Sequence, residues 1–154
     1  MDRILSGIAG EYFVAGELSR RGYIASITLR NTASIDILAS NGEKTVNIQV
    51  KTRCTETTDG WKMGSNPLDT KQLNINIFYI FAEISSDPNN KEIDYYIIPK
   101  NKLNEKVEAN FQENLKTPRR DGRPRTTRLR IFRINEYPEF QTEKYRGNWD
   151  MLFN

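Results

Sequence analysis

The stretch Ser34–Arg53, "SIDILASNGEKTVNIQVKTR", decides how this chain is read. Two apolar runs flank Asn41-Gly42, the strongest short signal for a β-hairpin, because both residues tolerate the positive φ of a tight two-residue turn. With those two as the turn, Ser40 pairs with Glu43, Ile37 with Val46 and Ile35 with Ile48. Ile35, Ile37, Ala39, Val46, Ile48 and Val50 then share one apolar face. Asp36 falls opposite Asn47, and Asp36, Asn47, Gln49 and Lys51 share the other face. A strand pair built for a core thus carries an acid, an amide and an ammonium side by side. One explanation is a wet outer face, as on most half-buried antiparallel sheets. The other is a site.

Upstream, Ile4, Ile8, Ala15 and Leu18 recur at helical spacing, and Gly22 is placed to end the helix. Glu11 stands on that stripe, three residues after Ile8 and four before Ala15, where a core residue belongs. A lone buried carboxylate is costly, and such groups are paired or bound to a cation. Glu17 lies off the stripe and reads as a surface charge. A helix carboxylate aimed at a sheet bearing Asp, Gln and Lys is a candidate cation site.

The chain has 154 residues and no histidine. Its length suits one domain over 1–154 with a core that needs no covalent staples. Without histidine, Ser-His-Asp and Cys-His hydrolases, His-ligated zinc sites and nucleases with a histidine base are excluded. Acid–base chemistry falls to carboxylates, lysine, tyrosine or a metal-bound water. Cys54 is the single cysteine and cannot form an internal disulfide. No apolar run reaches membrane-spanning length, and "MDRILSGIAGEYF" lacks a signal-peptide layout, so a cytoplasmic protein without a membrane partner is expected.

Downstream, 54–74 is polar with Gly60, Gly64 and Pro67, and reads as a long loop with one helical turn after Asn66. Trp61 within it reads as packing, with base stacking as the alternative. "INIFYIFAEI" (Ile75–Ile84) is a nearly continuous apolar run, a buried central strand, and "IDYYIIP" (Ile93–Pro99) pairs with it. Leu103, Val107, Phe111 and Leu115 mark an amphipathic helix capped by Asn101. Tyr145, Trp149, Leu152 and Phe153 form an aromatic tail that packs on the core or on a partner. The order predicts a mixed α/β fold: an amino-terminal helix preceding a β-meander, then a helix and a strand, with helices flanking a central mixed sheet.

Between Lys116 and Arg133 lie eight basic residues against one acid, Asp121, while the rest of the chain is net acidic. Such polarity suits a local polyanion contact. The alternative is a solvated, flexible loop over 116–127, punctuated by Pro118, Gly122 and Pro124. A strand through "TRLRIFR" would point Arg128 and Arg130 away from its apolar side. Arg119, Arg120, Arg123, Arg125, Arg128 and Arg130 are therefore the candidate nucleic-acid contacts.

A helix of type "GEYFVAGELSRRGY", then Asp36 in "SIDIL", then Gln49-x-Lys51 in "IQVKTR", resembles the PD-(D/E)XK nuclease superfamily, most closely its small restriction-endonuclease-like and Holliday-junction-resolvase-like branches. The resemblance covers roughly the first third of the chain and implies a restriction-endonuclease-like core. It implies Glu11 as the helix carboxylate, Asp36 as the principal metal ligand and Lys51 as the catalytic lysine. Ile35 stands where the motif often has proline, and Gln49 replaces the usual second acid, as in some members. Asp69-x-Lys71 imitates the motif but sits in a polar stretch without strand alternation.

The resemblance implies an Mg²⁺- or Mn²⁺-dependent endonuclease acting on DNA, and a homodimer where two strands are cut. Mg²⁺ prefers oxygen ligands and keeps several waters. Glu11 and Asp36 offer carboxylates, Gln49 an amide oxygen and Val50 its carbonyl. The missing charge at Gln49 weakens cation affinity. Lys51, protonated beside acids, would orient the attacking water or stabilise developing charge. Two other classes remain open: a nucleic-acid-binding module without catalysis, and a protein-interaction domain on the same scaffold.

Overall fold

The computed structural model describes residues 2–29, 35–56, 59–70 and 76–154. Helix α1 is Arg3–Arg20. Asp2 caps it, its carboxylate accepting from the Ile4 and Leu5 N–H groups at 2.8 and 3.2 Å, which fills donors a helix start leaves open. The far end closes as the sequence predicts. Gly22 takes a φ of 87°, its N–H bonds the Ser19 carbonyl, and the Tyr23 N–H reaches back to Leu18, the paired bonds of a glycine-terminated helix.

The buried stripe of α1 differs from the expected one. It runs Ser6, Gly10, Val14, Leu18, while Ile4 is 65% exposed. Small residues set it, because α1 crosses the sheet so closely that a Cβ on Gly10 would overlap the Thr52 side chain. Glu11 consequently lies half-buried at the margin of the stripe rather than at its centre.

Among the described residues the strands are β1 (Ile24–Ile27), β2 (Ile37–Ser40), β3 (Thr45–Cys54), β4 (Trp61–Gly64), β5 (Ile77–Ile84), β6 (Asp94–Pro99) and β7 (Arg130–Phe132), with helix α2 (Lys100–Lys116) between the last two. Five of them form one sheet in the order β1-β2-β3-β5-β6. The β3–β5 pair is parallel and the others antiparallel. The fold is mixed α/β, with the amino-terminal helix ahead of the strands. A parallel pair needs a long crossover, and the segment between β3 and β5 is not simply a loop. It carries β4, which pairs with β7 in a separate two-stranded sheet. "WKMG" is too short to display a period, yet Trp61 and Met63 are buried and Lys62 exposed. The helical turn expected after Asn66 does not form over 66–70, and 71–75, including Lys71 of the imitation motif, lie outside the described residues.

Both faces of the sheet are covered. Ile48, Val50, Ile80 and Ile97 pack under α1 with Val14 and Leu18. Tyr79, Phe81, Tyr96 and Ile98 pack under α2 with Leu103, Val107, Trp61 and Phe132. A strand covered on both sides reads as an unbroken apolar run, which is how β5 appears in the sequence. The carboxy-terminal aromatics belong to these cores: Trp149, Leu152 and Phe153 on the α1 side, Tyr145 on the other. They are not a free partner surface. Helix α2 begins directly after Pro99, so Asn101 lies inside its first turn rather than capping it. No helix among the described residues is long and apolar enough to cross a membrane.

Candidate functional site

The opening hairpin is two residues out of the expected register. Ser40 pairs with Thr45, Ile37 with Ile48. The loop is Asn41–Lys44, closed by the Asn41 side-chain oxygen, which accepts from the Glu43 and Lys44 N–H groups at 3.0 and 2.8 Å. That side chain adds to the backbone bond from the Asn41 N–H to the Lys44 carbonyl at 3.3 Å. A shift of two preserves the faces, so Ile37, Ala39, Val46, Ile48 and Val50 are all buried as expected. What changes is where the pairing ends. β2 starts opposite Ile48, and β3 runs on past it to Cys54.

Asp36 occupies the point where the two strands part. Its N–H bonds the Ile48 carbonyl at 2.8 Å, while its own carbonyl accepts from Thr28 N–H at 2.9 Å on the β1 side. In a regular strand both groups of one residue face the same neighbour, so the chain twists here. The pleat therefore does not carry Asp36 onto the face of Asn47 and Gln49, as the sequence reading expected. Its carboxylate instead lies along the sheet, with Oδ2 accepting from the Val50 N–H at 2.7 Å. Asn47 bonds towards β5 through its N–H, so the alternate residues Ile48 and Val50 present theirs towards β2. The Val50 carbonyl faces the same way as its amide, towards the Asp36 edge.

Gln49 and Lys51 stand on the α2 side of β3, half-buried beside Tyr79 and Phe81 of β5. Glu11 approaches from the other side. Phe13 and Glu17 border a cleft with Asp94 and Tyr95 of β6, and Glu11 is on the opposite flank of α1, with Ala15, which packs against the core on that side of the sheet. The helix flank bearing Glu11 is the one over the β2–β3 side. Glu17, read as a surface charge, is held by Arg20 and Arg21, and Arg20 foremost lowers its pKa.

Lys51 departs from expectation in its electrostatics. Burial is the main influence and lowers its pKa; Asp36 opposes this, while Lys100 and Arg3 add to it. The ammonium is thus less firmly protonated than a lysine flanked only by acids. Arg3, Lys62 and Lys100 were not singled out by the sequence. Lys62 had one visible signal, its place between the apolar Trp61 and Met63. Thr52, next along β3 on the Val50 side, has a buried hydroxyl with no hydrogen-bond partner among the described residues.

The arginine-rich segment divides. Arg119, Arg120, Arg123, Arg125 and Arg128 are exposed, in a stretch turned by Gly122 (φ 78°) and by the bond from Arg119 N–H to the Arg123 carbonyl. Arg130 is not a candidate contact. It is 4% exposed, grips both Glu108 oxygens at 2.7 Å, donates to the Ser65 and Arg128 carbonyls and lies over the Phe111 ring at 3.9 Å. Strand β7 therefore turns Arg130 and Phe132 inward together, because a carboxylate on α2 waits there. Trp61 is also structural, buried with its Nε1–H on the Ala82 carbonyl at 3.2 Å.

Compared with protein-family models and with curated proteins, the chain matches none. Among the described residues no three His, Cys, Asp or Glu side chains cluster. A cation at the Asp36 edge would rely on amide and backbone oxygens besides its carboxylates. The donors present are all hard oxygens, which fits Mg²⁺ or Mn²⁺ and not a thiophilic metal.

Proposed function

We propose that the chain is a PD-(D/E)XK-type endonuclease with a restriction-endonuclease-like core, hydrolysing phosphodiester bonds in DNA with Mg²⁺ or Mn²⁺. The observation that carries this reading is the strand junction. Where β2 leaves β3, the Asp36 carboxylate is locked onto the Val50 amide, next in sequence to Gln49 and Lys51. That bond orients one oxygen of Asp36, and among the described residues no side chain donates to the other. Asp36, the Val50 carbonyl, Gln49 and Glu11 would hold the cation. When bound, the metal supplies a more acidic water and charge relief at the scissile phosphate. Lys51 places its positive end beside Asp36 and offsets charge that develops on the phosphate oxygens. The exposed arginines, Arg119 to Arg128, hold the strand by its phosphates.

Supercoiled-plasmid nicking tests the reading. The wild-type chain is expected to nick with Mg²⁺ or Mn²⁺ and to stop with EDTA. Asp36→Asn should lower the rate by about 10²–10³-fold, the range lost with a single charge-stabilising group. Nicking unchanged in that variant rejects the site.

Gln49 favours a second reading, a nucleic-acid-binding module with weak or no catalysis, since an amide attracts a hard cation less than a carboxylate does. Gln49→Glu separates the two. A gain in Mg²⁺ affinity, read by calorimetry, places the side chain at the cation.

A further inference from the structure

The clefts beside Lys51 hold two further cations, Arg3 and Lys62, that the proposed chemistry does not use. Arg3 in the first turn of α1, Lys51 on β3 and Lys62 on β4 line a cleft of about 400 Å³ walled by Val50 and Trp61. The same three residues line its neighbour on the Met63 side. None of the three stands in an ion pair among the described residues. The helix start adds little, because Asp2 already occupies the Ile4 and Leu5 amides. The positive charge is therefore in side chains, and it converges.

Three like charges around one depression repel one another and attract whatever anion can enter. A guanidinium and two ammonium groups suit a phosphate better than a carboxylate, through fork-shaped donation from the arginine and point charges from the lysines. The shape adds a second constraint. Two clefts extending from the same three cations make a trough on either side of them, which suits a phosphate that is one unit of a chain passing through.

We propose that Arg3, Lys51 and Lys62 form a phosphate seat beside the Asp36 edge, occupied by a nucleic-acid backbone phosphate next to the scissile one. The description of that phosphate as a neighbour of the scissile one rests on the nuclease reading; the seat itself does not. Arg3 and Lys62 are positioning residues, holding the strand so that the next phosphodiester meets Asp36.

The test uses the full chain carrying Asp36→Asn, so that DNA survives the measurement, with and without Arg3→Gln and Lys62→Gln together. Binding of a labelled duplex is followed by anisotropy across a salt series. The double variant should bind more weakly, and its log K against log salt slope should flatten by about 0.9, the share of the one phosphate no longer neutralised. Inorganic phosphate, titrated by NMR, should shift the amide signals around Lys51 and Lys62 in the unsubstituted chain and not in the double variant. An unchanged duplex affinity and slope overturns the nucleic-acid seat. If inorganic phosphate still shifts those signals, the trough takes a small phosphate compound instead. A flattened slope in a chain whose wild type never nicks DNA with either metal supports the seat while rejecting the nuclease reading. Wild-type nicking with an unaltered slope does the reverse.

Discussion

Arg130 and Lys51 are both cations drawn into the protein beside a carboxylate, and their surroundings are opposite. Arg130 meets Glu108 twice at 2.7 Å, two backbone carbonyls and an aromatic ring. Four of the five N–H donors of its guanidinium are answered. Lys51 feels the charge of Asp36, whose Oδ2 is already committed to the Val50 amide, and it feels Lys100 and Arg3 as like charges. The first arrangement is scaffold, joining α2 to β7. The second holds charge that the fold leaves uncompensated, which is what a site for an anionic substrate requires.

The largest expected effect lies on the scaffold side. Arg130→Met removes the partner of a carboxylate that stays shielded between α2 and β7. Breaking a buried pair from one side costs about 3–5 kcal/mol, and urea denaturation should show a loss of that size. A loss near zero would break the comparison, because Arg130 would then be as uncommitted as Lys51.

Acid titration gives a smaller effect on the same pair. The Arg130 guanidinium holds the Glu108 carboxyl down at about 2, with help from Gln112 and the Leu68 N–H, against burial. The folded-state value lies below the ordinary 4.5, so the pair's contribution is present above that value and lost as pH falls towards about 2. Glu108→Gln should flatten stability against pH in that window. It should not abolish the slope, because Glu56, held at about 2 by Ser85 and Ser86, titrates there too.

The contrast between the two cations was only half legible in the sequence. Asp36, Gln49 and Lys51 were visible because they interrupt apolar alternation, and alternation survives a register error of two. The Asn41 side chain that closes the longer loop, and so moves the pairing end to Asp36, has no signature distinct from a tight Asn-Gly turn. Arg130 was misread for a different reason. Its alternation with Leu129 and Ile131 is real, but the side turned inward is decided by Glu108, which lies far away in sequence on α2. The α1 stripe failed similarly: Gly10 is buried for closeness to Thr52, and hydrophobicity does not report closeness. Short strands such as β4 and β7 exist only through each other, and a window on either one sees four residues or fewer.

The smallest expected effect is the one with the inverted sign. Burial is the first cause of the lowered Lys51 pKa, and Lys100 and Arg3 reinforce it. A lysine whose folded-state value lies below its unfolded value binds fewer protons folded than unfolded. Stability linked to it therefore rises with pH from the lowered value up to the ordinary 10.5, and below that window the charged form is a standing burden on the fold. Lys51→Met keeps much of the aliphatic stem and removes the charge, so its urea midpoint at neutral pH should move slightly upward, while nicking falls. Arg130→Met, the same exchange of cation for thioether, should move the midpoint far downward. Raising the pH towards 10 should narrow the gap between wild type and Lys51→Met, as the wild-type ammonium gives up its proton. If Lys51→Met is instead destabilised at neutral pH, Asp36 satisfies the ammonium after all. Lys51 would then belong with Arg130 as scaffold, and the strand junction would lose the uncompensated charge on which its proposed chemistry depends.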